Sequence, residues 1–173
     1  IGKYVNIASR CAVFLTRKFK GQLELPPATF DFGARLFGLR QDSLLAEFQE
    51  AAAEISKCYE SREFGKALRQ IMTLADYANQ FVDRHKPWEL SKQPGSEQKL
   101  LHVCSVAINL FRLLTIYLKP VLPALATNAE SFLGIPPLEW DDARKLLDSG
   151  HVIRPYAHLM GRVEERQLDQ LFD

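Results

Sequence analysis

The sequence predicts an all-α fold, an antiparallel bundle of four to five helices finished by a C-terminal strap and helix, and three observations carry that expectation. Leu and Ala together number 42 against 21 for Val, Ile and Thr combined, which favours residues that lose little side-chain freedom in a helix. Apolar residues recur at helical spacing in successive stretches. Turn-forming clusters of Pro and Gly fall mainly between those stretches. With 173 residues, 47% hydrophobic and 25% charged, the chain suits a single domain and is neither disordered nor a membrane protein by composition.

The first helix is predicted over residues 1–20, with a stripe at Ile1, Val5, Ala8, Ala12, Leu15 and Phe19, and Gly21 ends it. Residues 22–41 then form an irregular connection holding Pro26, Pro27, Gly33 and Gly38, longer than most loops in compact domains. Asp42 or Ser43 is placed to cap a second helix running to Glu60, with its stripe at Leu44, Phe48, Ala51, Ile55 and Cys58. A third helix spans about Arg62 to His85, with Phe64, Leu68, Ile71, Ala75, Ala78 and Val82 towards the core. Pro87 restricts the residue before it to extended geometry, so this helix has to stop near Lys86.

Ser96 is a candidate cap for the fourth helix, which runs to Leu118. Leu100–Leu118 is long enough to span a membrane. Its His102, Asn109 and Arg112 favour a helix buried at the centre of the bundle instead. A fifth helix covers roughly 121–133, stopped by Gly134 and the pair Pro136 and Pro137. The bundle is thus expected over 1–140. Beyond it, 141–173 should hold a short helix at 141–147, an extended strap at 149–155 and an amphipathic helix over 161–173, packed on something outside this chain.

The net charge of +1 excludes a polybasic protein whose whole surface attracts nucleic acid. It conceals an uneven distribution. Residues 1–20 hold Lys3, Arg10, Arg17, Lys18 and Lys20 and no acid, while the second helix carries Asp42, Glu47, Glu50, Glu54 and Glu60. Three widely spaced cysteines, Cys11, Cys58 and Cys104, give neither zinc spacing nor a disulfide framework and fit a reducing, intracellular setting. The chain opens on Ile1 with neither an initiator Met nor a signal pattern, which suggests a piece of something longer.

Asn6 and Arg10 stand one turn apart on the polar side of the first helix. Asn offers donor and acceptor together, and Arg offers a planar fork that also stacks on rings. Unpaired bases present both kinds of surface. Trp88, directly after Pro87, is a stiff aromatic suited to stack a splayed base. Asp76, Asn79 and Asp83 flank it on the third helix and add acceptors. The plain alternatives are solvated helix residues for Asn6 and Arg10 and a core-closing role for Trp88. Arg17, Lys18 and Lys20 are candidates for phosphate contacts. No metal-ligand cluster, GxSxG or glycine-rich phosphate loop is present.

Three segments carry a resemblance: VNIASR at 5–10, REFGKALRQIMTLADYANQFVDRHKPW at 62–88 and INLFRLLTIYLKPVLP at 108–123. Over roughly residues 1–140 the chain resembles the anticodon-binding domain of bacterial-type methionyl-tRNA synthetase, with a weaker likeness beyond. The KPW turn is shared with sister class I synthetases; its combination with NxxxR and REFGKAxR is more specific.

The resemblance implies that Asn6, Arg10 and Trp88 read the CAU anticodon of methionine tRNAs, with Asn79, Asp83 and Pro87 as flanking RNA-binding positions. It implies a cytoplasmic methionine–tRNA ligase as the parent enzyme, with the final helix strapped back onto its catalytic domain. ATP, methionine and any zinc ion would belong to that catalytic part, since the HIGH-like and KMSKS-like motifs and the zinc knuckle are absent from these residues. No cofactor, catalytic residue, DNA partner or membrane is expected for the chain itself. Two rivals remain at this point: a helical protein-interaction module working through the acidic second helix, and the equivalent domain of a sister synthetase.

Overall fold

The computed structural model describes residues 1–30 and 43–159. The described residues form α1 (Gly2–Phe19), α2 (Leu44–Glu60), α3 (Phe64–His85), the one-turn α4 (Pro87–Leu90), α5 (Glu97–Leu118), α6 (Pro123–Leu133) and a 3-10 turn at Trp140–Arg144. The expected bundle is therefore present, and the five long helices fall within a residue or two of their predicted ends. Much of the long connection after α1, Asp42 and the helix expected over 161–173 lie outside the described residues.

α5 is the axis of the fold. Residues His102–Leu118 are all buried, polar ones included, and 94% of its most apolar stretch lies inside the bundle. It runs antiparallel to α1, where Tyr4 stacks on Phe111 at 4.6 Å between ring centroids and its hydroxyl shares a 2.6 Å hydrogen bond with Thr115. That packing centres the buried face of α1 on Tyr4, Ile7, Ala8, Cys11, Ala12 and Leu15. Of the predicted α1 stripe, Ala8, Ala12 and Leu15 lie within this face and Val5 and Phe19 at its edge, while Ile1 is 48% exposed; in the predicted α3 stripe, Phe64 is likewise 49% exposed. Burying Tyr4 against α5 turns Ile1 out.

α1 and α3 lie side by side and parallel. Lys3 pairs with Asp76, Arg10 with Asp83, and Lys18 with the Ser91 carbonyl, each 73 residues further along the chain. α1 closes with Lys20 and Gly21 both at positive φ, and the Gly21 N–H reaches back to the Leu15 carbonyl at 2.9 Å. Ser43 and Ser96 sit at the starts of α2 and α5 without capping through their hydroxyls; that of Ser96 turns to Gln93.

The polar residues of α5 hold the strap. Asn109 accepts from the Leu147 N–H at 2.7 Å, and Arg112 donates to the carbonyls of Lys145 at 2.7 Å and Asp142 at 3.2 Å. Burial lowers the Arg112 pKa, against the opposing pull of Asp142. An antiparallel bridge between Gln22 and Val152, and burial of Ile153 and Leu159, carry the strap across the bundle. The described part of 141–159 thus packs on this domain's own helices.

Candidate nucleic-acid interface

α3 stops where Pro87 requires it to, with a different geometry at Lys86 than its place before proline suggests. Lys86 is left-handed, at φ 46° and ψ 66°, rather than extended. Its N–H still bonds the Val82 carbonyl at 2.9 Å and completes the last turn. Pro87 then opens α4 at the first helical position, where its fixed φ and missing N–H cost nothing. Pro87 and Leu90 are buried, and Trp88 is half-buried against the core. α4 leaves no mark in the sequence, because one turn is too short to show a period.

Arg10 lies against this corner. Its Cζ stands 4.8 Å from the centre of the Trp88 ring, and its Nη2 donates to Asp83. Only 24% of its side chain is accessible, against 60% for Asp83. The guanidinium is therefore wedged between an indole and a carboxylate, with Nη1 and Nε unpartnered among the described residues. Asn6, one turn earlier, is exposed and its side chain makes no hydrogen bond among them. Three of the predicted residues, Arg10, Trp88 and Asp83, come together in direct contact, with Asn6 on the turn beside them.

The other two predicted positions point inward. The Asn79 amide donates to the carbonyls of Lys3 at 2.8 Å and Ala75 at 2.9 Å, while its Oδ1 is buried without a partner. Pro87 shapes the turn from inside.

The run of cations on α1 is opposed across the helix seam rather than along its own helix. Lys3 meets Asp76 at 2.7 Å, Arg10 meets Asp83, and Lys18 donates to the Ser91 carbonyl at 2.5 Å. Arg17 and Lys20 remain exposed, with no partner among the described residues. The phosphate role expected of Lys18 meets a side chain already engaged.

An open cleft of about 660 Å³ that the sequence does not signal lies where the C-terminal end of α3 and the N-terminal end of α5 meet the α1–α2 connection, lined by Phe30, Arg84, His85, Gln98, Lys99 and His102. Phe30 stacks on His85 at 5.9 Å. Two imidazoles contributed by different helices were the available signal, visible only once the helices are paired.

The described residues show neither a metal-ligand cluster nor an exposed thiol. No group of three His, Cys, Asp or Glu is arranged to hold a metal there. All three cysteines are buried and free, and the Cys104 thiol is pushed well above its ordinary pKa, first by a hydrogen bond with Cys11 and then by burial. Such a thiol is a poor nucleophile.

Among solved structures, the chain is similar to methionyl-tRNA synthetase of Mycobacterium tuberculosis. The ligand-free form matches 94% of this chain and 32% of that one with a TM-score of 0.82 at 20% identity. The form bound to methionyl-adenylate matches 91% and 30%, with a TM-score of 0.79 at 20% identity. At that identity the likeness concerns the fold.

Sequence relatives are nearer. Methionine–tRNA ligase of Azoarcus sp. (strain BH72) is 51% identical over the whole chain, and that of Aromatoleum aromaticum 52%, each match covering 22% of the relative. That of Polaromonas sp. is 52% identical, with 24% of it covered. The chain thus spans about a quarter of the length of the curated relatives it matches.

The helical bundle and the family model that matches it define a helical anticodon-binding domain. The chain belongs to the family of the anticodon-binding domain of methionyl-tRNA ligase, whose model matches residues 33–172. This decides against the sister synthetases and the protein-interaction module.

Proposed function

We propose that this domain reads the CAU anticodon of methionine tRNAs, as part of a cytoplasmic ligase that attaches methionine to tRNA with ATP. The observation that carries the reading is the layer of Trp88, Arg10 and Asp83 beside the exposed Asn6. Indole and guanidinium give an unpaired base a flat surface, and stacking of this kind contributes about 1–3 kcal/mol. The free edge of Arg10 and the amide of Asn6 supply donors and an acceptor for the first anticodon base. Arg17 and Lys20 continue the same helix as phosphate contacts. Asn79 and Pro87 support the site by holding α1 and α4 in place.

Bond making belongs to the rest of the ligase, where ATP and methionine bind. Anticodon contacts contribute binding energy that helps place the acceptor end of the tRNA in the distant active site.

The test is titration of a methionine tRNA anticodon stem-loop with the chain and its Trp88→Ala variant. Binding should weaken between about 5- and 150-fold in the variant, and replacing C, A or U of the triplet should weaken binding to the parent. In the ligase that contains this domain, Trp88→Ala should lower kcat/KM for tRNA and leave methionine-dependent exchange of pyrophosphate into ATP intact. Equal binding by parent and variant, or indifference to the triplet, would remove the reading.

A further inference from the structure

α4 carries Trp88 on a single turn of four residues, Pro87–Leu90, far too short to hold its own shape in water. What fixes it has to come from outside the turn. On the inner side Pro87 and Leu90 are buried. On the outer side the turn depends on Ser91. The Ser91 N–H bonds the Pro87 carbonyl at 2.9 Å, and its hydroxyl donates to the Trp88 carbonyl at 2.9 Å. Its own carbonyl belongs to the last carbonyls of the turn, which a helix leaves without internal partners. Those of Glu89 and Leu90 are taken by the N–H groups of Lys92 and Gln93. That of Ser91 is taken by the ammonium of Lys18, at 2.5 Å, from the last turn of α1.

We propose that Lys18 is a positioning residue for Trp88: through the Ser91 carbonyl it ties the aromatic turn to the same helix that carries Asn6 and Arg10. The base-stacking face and the base-reading edge are thereby set relative to each other by one rigid element. This inference rests on the reading of Trp88 as the stacking platform. It removes Lys18 from the phosphate contacts and leaves that role to Arg17 and Lys20.

The two roles differ in three measurable ways. A phosphate contact contributes to the salt dependence, with a slope of about 0.7 per phosphate for single strands, and is independent of Trp88. A positioning residue leaves the slope unchanged, and its effect disappears when the ring it positions is removed. It also controls the mobility of that ring, which a phosphate contact does not.

The experiment uses the whole chain and an anticodon stem-loop carrying CAU, with Lys18→Met, Lys18→Arg, Trp88→Ala and the double variant Lys18→Met/Trp88→Ala. Lys18→Met should weaken binding about fivefold with an unaltered salt slope, and less than twofold when Trp88 is already Ala. Lys18→Arg, which keeps a donor within reach of the carbonyl, should restore most of the affinity. In a Trp140→Phe background, where Trp88 is the sole indole, Lys18→Met should raise acrylamide quenching of the free protein and Lys18→Arg should not.

Additive losses, a slope lower by about 0.7, or unchanged quenching would overturn the positioning role while Trp88→Ala still weakens binding. If Trp88→Ala binds as the parent does, the stacking reading itself fails and this inference with it. Should Lys18→Met not fold, Lys18→Gln serves for the same comparisons, and unfolding of both would overturn a role confined to the turn.

Discussion

Replacing Arg10 by Lys separates what its charge does from what its shape does. Both side chains can pair with Asp83, which is 60% exposed, so the pair's share of stability, about 0.2–1 kcal/mol for an exposed pair, should largely survive. Two things change. The guanidinium plane over Trp88, at 4.8 Å from the ring centre, contributes about 0.5–1 kcal/mol. A bidentate fork towards a base edge contributes about 1–3 kcal/mol of discrimination. The first is a contact of the unbound domain, and a Lys ammonium over the ring keeps part of it; the loss in binding is therefore the second, about 1–3 kcal/mol, or roughly 5- to 150-fold in Kd.

Fluorescence anisotropy with a labelled CAU stem-loop measures that loss, and a second stem-loop altered at its first anticodon base measures selectivity. The urea midpoint of the unbound domain serves as the folding control and should move little. If Arg10→Lys bound CAU as the parent does, or weakened both stem-loops equally, Arg10 would act as a point charge and the planar reading would be refuted.

Three further outcomes follow from the fold. Arg112→Met should destabilise the domain by about 2–4 kcal/mol, since it leaves the carbonyls of Asp142 and Lys145 without their charged donor; the urea midpoint measures it, and a shift below about 0.5 kcal/mol would mean the strap is held by its apolar contacts alone. Gly21→Ala should cost more than 1 kcal/mol in the same assay, because a Cβ at φ 78° would sit 2.5 Å from the Ile153 carbonyl oxygen. Burial raises the pKa of Tyr4, Tyr59, Tyr117 and Tyr156, so the native state retains phenol protons that the unfolded chain loses. The stability these phenols contribute is fully present below about pH 10, the unfolded value, and falls as pH rises beyond it; Tyr4→Phe and Tyr117→Phe should flatten the decline in urea midpoint between pH 9 and 11.

Helix limits were legible because the chain marks them locally. Gly21, Pro87, Pro120 and Gly134 stop helices whatever they pack against. Which residue of an apolar stripe lies deepest was not legible, since Tyr4 rather than Ile1 meets α5 only once Phe111 and Thr115 stand opposite. Asn6, Arg10 and Trp88 could be picked out by residue type and motif, and the structure brings Arg10 and Trp88 into contact.

What stayed hidden was pairing over distance. Counted along its own helix, α1 is an unopposed cation; counted across 73 residues, Lys3 and Arg10 each have an acid. Lys86 misled for a related reason. The rule for residues before proline favours extended backbone, yet the hydrogen bond that ends α3 holds Lys86 left-handed.

The shared offset of 73 residues between α1 and the α3–α4 segment makes the site sensitive to phase and indifferent to length. The connection between residues 30 and 43 can lengthen or shorten without changing the pairing of Arg10 with Asp83, provided the two helices still dock. A single residue deleted between Lys3 and Arg10, by contrast, turns the helix about 100° and shifts it 1.5 Å on one side of the cut, so that Lys3–Asp76 and Arg10–Asp83 cannot both form. In relatives of this domain, insertions and deletions should therefore collect in the α1–α2 connection and be excluded from the short stretches 3–18 and 76–91.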